Sequence, residues 1–154
     1  GVQTCALPIS ASFEVPYEPG ELKACNVKGK KETASASLNT AGNPASIRLT
    51  ADRSKIKADK NDLAYVKIEV LDKDGRVIPD CEIPLEIKSG GKGSVIASGN
   101  GSADDMKSFR SLTPKTFRGK AIVIVQPDTQ EGNIHLTVSA KGLPEANISI
   151  ETYE

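Results

Sequence analysis

The chain of 154 residues has no tryptophan, one histidine, one methionine and 4% aromatic residues. Modules that grip sugars by stacking present exposed tryptophan or tyrosine rings, so a strong glycan platform is not expected here. Net charge is missing too: 20 basic and 20 acidic side chains cancel and are interspersed. That balance supplies no long-range field for nucleic acid or an anionic membrane, and neither is expected as a partner. The longest apolar run, residues 121–125, falls far short of the roughly 20 residues of a helical membrane span. No stretch repeats apolar residues at helical spacing over three turns, which limits helix to a turn or two. Three cysteines, Cys5, Cys25 and Cys81, sit at no metal-ligand spacing, and an odd number cannot close a disulfide framework. Each is expected as a small buried or half-buried side chain, with a reactive or bridging thiol as the alternative.

What the chain does have is alternation. In residues 63–72, Ala64, Val66, Ile68 and Val70 form one apolar face, while Leu63, Tyr65, Lys67, Glu69 and Leu71 point the other way. In residues 132–141, Ile134, Leu136, Val138 and Ala140 oppose His135, Thr137 and Ser139. Shorter versions occur at Ile47/Leu49, Leu85/Ile87 and Ile148/Ile150. The continuous run 121–125 reads as a strand covered on both faces. Turn chemistry separates the runs: DKDG at 72–75, SGGKG at 89–93, SGNG at 98–101 and QPDTQEG at 126–132. Many short strands with regular turns predict an all-β, antiparallel sandwich.

Three segments follow. Residues 1–11 fit nothing after them; the string GVQTCALPIS resembles the translated read-through of a sequencing adapter, and a short strand ending at Pro8 is the alternative. Residues 12–43 hold three predicted strands, 13–17, 21–27 and 32–38, then the Gly- and Pro-containing linker NTAGNP at 39–44. Three strands are a partial sheet. Residues 44–154 offer seven or eight, enough for a complete sandwich. No methionine or signal-like segment opens the chain, which reads as part of a longer protein.

No constellation here points to chemistry. Asp72-Lys-Asp-Gly75 opens like a calcium loop, but Arg76, Val77 and Pro79 follow where further oxygen ligands belong, so a hairpin turn is the better reading. His135 lies on the polar face of its strand without a Cys or His neighbour. A Ser-His-Asp triad would need this histidine, and no Gly-x-Ser-x-Gly elbow accompanies it. Glu14, Glu18 and Glu21 surround a Pro-Gly turn and read as exposed. SGNG at 98–101 lacks a following helix to hold a phosphate. The polar segment 102–118 is predicted to cross the sandwich edge, pinned to the core by Met106, Phe109, Leu112 and Phe117.

Two strings carry a family resemblance. VPYEPGELKA at 15–24, followed by TAGNPA at 40–45, resembles the end of an immunoglobulin-like (Ig-like) module of bacterial family 2 glycoside hydrolases. These are the β-galactosidase-like enzymes, especially of gut Bacteroidetes. IRLTADRS at 47–54, DLAYV at 62–66, LDKDG at 71–75, FRGKA at 117–121 and IVQ at 124–126 resemble the terminal module of the same enzymes, itself similar to invasin-type Ig-like domains. The resemblance covers residues 12–151 and implies an immunoglobulin-like β-sandwich preceded by the last strands of a second such domain. It implies a non-catalytic accessory region whose partners are the other domains of a secreted, periplasmic or extracellular enzyme. Glycans would be weak partners at most. The family's acid/base and nucleophile glutamates lie in a (β/α)₈ barrel upstream, and nothing here matches those motifs. Catalytic, cofactor-binding and metal-ligating residues are therefore all expected to be absent. Two rival readings stay open: a carbohydrate-binding module of the same enzyme, and an adhesin of repeated invasin-like domains. Cys25 and Cys81 stand where the pattern expects small or aliphatic residues.

Overall fold

A computed structural model describes residues 12–154, and the reading of GVQTCALPIS falls outside them. Two compact units divide between Thr40 and Ala41. Among the described residues there is no helix, and so none long and apolar enough to cross a membrane.

The described residues of the unit ending at Thr40 form one antiparallel hairpin, β1 (Glu21–Lys28) and β2 (Lys31–Asn39), turned at Gly29 with φ 66°. Residues 13–17, expected as a strand, have no ladder partner among the described residues. Pro16 and Pro19 withhold N–H donors there, and Phe13, Val15 and Tyr17 are all exposed.

The second unit is a sandwich of eight strands, within the expected number. One sheet orders β3 (Ser46–Ala51), β5 (Ala64–Leu71), β8 (Lys120–Pro127) and β7 (Gly93–Gly99), all antiparallel. The other orders β4 (Lys55–Lys57), β10 (Ala146–Tyr153), β9 (Gly132–Ser139) and β6 (Glu86–Gly91), with β4 parallel to β10 and the rest antiparallel. The alternation sets the faces. Ala64, Val66, Ile68 and Val70 of β5 are fully buried against Ile134, Leu136 and Val138 of β9 and Ile150 of β10 in one core cluster and its neighbour. At one end Val70, Ile78 and Cys81 form that smaller cluster, with Ala41, Ile83 and Leu143 packed around it.

The apolar run in β8 behaves differently from expectation. Ala121, Val123 and Val125 are buried, but Ile122 is 41% exposed and Ile124 half-buried. In a sandwich of two sheets β8 has a facing sheet on one side, so alternate residues of the run meet solvent.

Residues 102–118 do cross the sandwich edge, although of the four expected hydrophobic pins Phe117 alone is half-buried and the other three do not hold the segment. Met106 is 93% exposed and Phe109 70%, and Leu112 is exposed as well. Backbone bonds hold the segment instead. Phe109 O accepts from Ser98 N–H of β7 at 2.6 Å, Leu112 O from Ile87 N–H of β6 at 2.9 Å, and Pro114 O from Leu85 N–H at 2.8 Å. The segment thus covers the free edges of β6 and β7. Thr116, fully buried, donates to Cys81 O (3.0 Å) and accepts from Ile83 N–H (2.9 Å).

A candidate interaction groove

The DKDG turn is a hairpin built around one carboxylate. Asp72 is 2% exposed; its Oδ1 accepts Asp74 N–H (2.9 Å) and Arg76 N–H (2.8 Å), and its Oδ2 accepts Gly42 N–H (2.9 Å). Gly75 takes φ 79°, as its place in the turn requires. With the Gly42 bond foremost, these N–H donors hold the Asp72 carboxyl below its ordinary range. Its oxygens are spent on backbone donors, which leaves a poor cation ligand. Among the described residues no three His, Cys, Asp or Glu side chains converge as a metal site needs.

Beyond that turn the chain builds a groove. Phe117 and Lys120 exchange backbone bonds of 2.8 and 3.0 Å, closing a two-residue hairpin. Its central residues, Arg118 and Gly119, have φ 52° and 71°, the combination of a type I′ turn. Glycine is required at 119, because a Cβ there would stand 2.3 Å from Ile78 O. Arginine at 118 tolerates a conformation that costs about 1 kcal/mol for an L-residue. The turn is anchored to the small core: Gly119 N–H donates to Cys81 O and Gly119 O accepts from Val70 N–H, both at 2.8 Å. The Arg118 guanidinium lies 5.4 Å from the centroid of the Phe117 ring.

This turn walls a groove of about 720 Å³ lined by Val77, Pro79, Phe117 and Ile122, with Arg118, Lys120 and Asn100 at its rim and Gly101 and Ala121 between. Two cations line it and no carboxylate does. Asn100 is already engaged: Nδ2 donates to Asp105 Oδ2 (2.7 Å) and Lys115 O (2.9 Å), and Oδ1 accepts Ser102 N–H (2.9 Å). Nearby on the outer sheet face, burial pushes the Glu69 carboxyl up, but Arg48 (2.9 Å) and Lys67 (3.1 Å) outweigh it and the net shift is downward.

Of the residues singled out from the sequence, Phe117 and the Asn100 and Gly101 of the SGNG segment reach this groove; the carboxylate, histidine and cysteine candidates do not. Glu14, Glu18 and Glu21 are exposed in the unit ending at Thr40, and His135 is exposed on β9. Tyr65 stands half-exposed on the outer face of β5. Cys25 is exposed on β1, against the expectation for it, whereas Cys81 is buried; burial, with Asp80 adding to it, raises the Cys81 thiol. Sequence reasoning missed the Asp72–Gly42 tie and the 117–120 turn. Arg-Gly is a weaker hairpin signal than the Asn-Gly or Asp-Gly that usually marks such a turn.

Comparison with known proteins places this geometry in a lineage. Residues 47–149 match the family model of glycoside hydrolase family 2 C-terminal domain 5. The chain is similar to the β-galactosidase BoGH2A of Bacteroides ovatus, 36% identical over 146 residues, which are 95% of this chain and 17% of the relative. A β-galactosidase of Thermoanaerobacter pseudethanolicus is 27% identical over 91% of the chain and 17% of its own length. Among solved structures, a glycosyl hydrolase family 2 member from Bacteroides cellulosilyticus superposes with a TM-score of 0.85 at 34% identity, covering 92% of this chain and 18% of that one. The chain thus spans about 17% of the length of the curated relatives it matches. The match to BoGH2A takes in β1 and β2, which lie before the family model begins.

Proposed function

Since the chain belongs to the glycoside hydrolase family 2 C-terminal domain 5 family, we propose that it serves as a non-catalytic accessory region of a longer β-galactosidase-like enzyme of carbohydrate metabolism. The carrying observation is a match along nearly the whole chain to about a sixth of two β-galactosidases. In this reading the catalytic barrel lies elsewhere in the longer protein, and this region packs against other domains as spacer and stabiliser. Residues 44–154 are its complete terminal sandwich, and residues 12–43 are the last strands of a preceding Ig-like domain plus linker. The wholly exposed β1–β2 hairpin supports that division, since an isolated two-stranded sheet is marginal in water. The site chemistry agrees: retaining glycoside hydrolysis uses two carboxyls about 5 Å apart, and the groove is lined by cations and apolar groups. A periplasmic or extracellular location follows from the enzyme class.

Deleting residues 44–154 from the longer enzyme tests the role. The expected result is a lower Tm, with the kcat and pH profile on a nitrophenyl galactoside retained by whatever fraction stays folded. A folded barrel with no turnover would refute an accessory role. Calorimetric titration of the chain with galacto-oligosaccharides tests the glycan-binding alternative; saturable heat lost in Tyr65→Ala or Phe109→Ala would favour it. The adhesin alternative requires further copies of this module, rather than a barrel, in the adjoining sequence.

A further inference from the structure

The composition of β8 is that of a strand covered on both faces, yet its outer face is bare. Ile122 is exposed there and Ile124 half-buried, with exposed Tyr65 opposite Ile124 on β5 and exposed Ile96 at the bulge of β7. This apolar stripe runs at Ile122 directly into the groove of Val77, Pro79 and Phe117. Isolated apolar side chains on a surface need no explanation, but a stripe that continues into a concave apolar groove marks a contact site.

The rim narrows the chemistry of what binds. The backbone of Arg118 is held left-handed in a turn whose Gly119 is bonded to Cys81 and Val70, and its guanidinium lies over the Phe117 ring. A cation ordered in advance loses little freedom when it pairs with an anion. Lys120 closes the same rim, and with the amide of Asn100 already engaged, the side-chain polar groups free to bind are these two cations. A sugar ring would bring several hydroxyls to a floor of aliphatic and phenyl groups and leave most of them unpaired. An apolar side chain beside a carboxylate satisfies both floor and rim.

We propose that the groove seats an apolar side chain adjoining a carboxylate on a neighbouring domain of the longer enzyme, the carboxylate pairing with Arg118 and Lys120. This deepens the accessory reading and rests on it. The test is amide-resolved NMR of the full chain titrated with three probes: N-acetyl-leucyl-glutamate amide, N-acetyl-leucyl-glutamine amide and trigalacturonate. Saturable shifts at Val77, Phe117, Arg118 and Ile122 are expected with the glutamate dipeptide, with affinity about tenfold lower for the glutamine dipeptide. Arg118→Gly should lower the affinity for the glutamate dipeptide by a similar factor, and because glycine suits φ 52° this variant keeps the turn. No shift at these residues, equal response to the two dipeptides, or a stronger response to trigalacturonate would each overturn the proposal. Turnover of a galactoside by the chain itself would instead sink the accessory reading, so the two failures are distinguishable.

Discussion

The Asp72 carboxylate accepts the backbone N–H of Gly42 at 2.9 Å, tying the segment that enters β3 to the turn that leaves β5, 30 residues away. Sheet registry at this end of the sandwich depends on that bond as well as on the ladder, because Ala45 N–H donates to Leu71 O beside it.

Acid should therefore loosen this end. The folded-state carboxyl of Asp72 lies below its ordinary value of 3.8, so its contribution is complete above that pH and is lost as the pH falls through the folded value. Asp72→Asn is expected to lower Tm at pH 7 and to remove its own share of the stability lost below about pH 4, leaving that of Asp59, Asp62, Glu69 and Asp105. An unchanged Tm at pH 7, measured by circular dichroism, would contradict this.

The two faces of β5 and β8 should respond oppositely to truncation. Ile68→Ala removes a fully buried side chain and should cost about 2–5 kcal/mol in urea unfolding. Ile122→Ala, on the open face, should stay within about 0.5 kcal/mol of the parent chain. In the longer enzyme the second substitution should become measurably destabilising if its face is covered there.

At the 117–120 turn the order of tolerance inverts the usual one. Gly119→Ala forces a Cβ against Ile78 O at a positive φ and should destabilise by about 2 kcal/mol or more. Arg118→Gly relieves the neighbouring strain and should leave stability unchanged or slightly raised.

Thiol accessibility divides Cys25 from Cys81. Native protein treated with iodoacetamide should label Cys25 promptly and Cys81 only after denaturation, because Cys81 is buried and its thiol is held protonated. Peptide mass mapping of the two sites, native against denatured, reads this out.

Proteolysis should attack the β1–β2 hairpin before the sandwich. Every residue of both strands is exposed, and local opening there gives up no buried apolar surface. Equal resistance of residues 12–40 and 45–154 would argue that the hairpin belongs to a folded unit already complete.

What was legible in the sequence was whatever the period of two encodes. The faces of β5 and β9 follow directly from Val66/Ile68/Val70 and Ile134/Leu136/Val138. The Asp72 turn was also legible, because Asp and Gly at those spacings have few other uses. The misread features depend on neighbours that local pattern does not name. The 121–125 run implied cover on both faces, yet the second layer is missing over Ile122. Phe109 and Met106 looked like pins, but backbone bonds from Ser98, Ile87 and Leu85 perform that task and leave the side chains outside. The groove was invisible for the same reason: Val77, Phe117 and Ile122 are brought together by the smaller core and a left-handed arginine, neither of which has a signature of its own.

A non-catalytic role requires that these strands perform no glycoside chemistry themselves. Purified chain incubated with p-nitrophenyl β-galactoside should release nitrophenol no faster than buffer. A rate proportional to protein concentration, and abolished by replacing a single carboxylate with its amide, would contradict it.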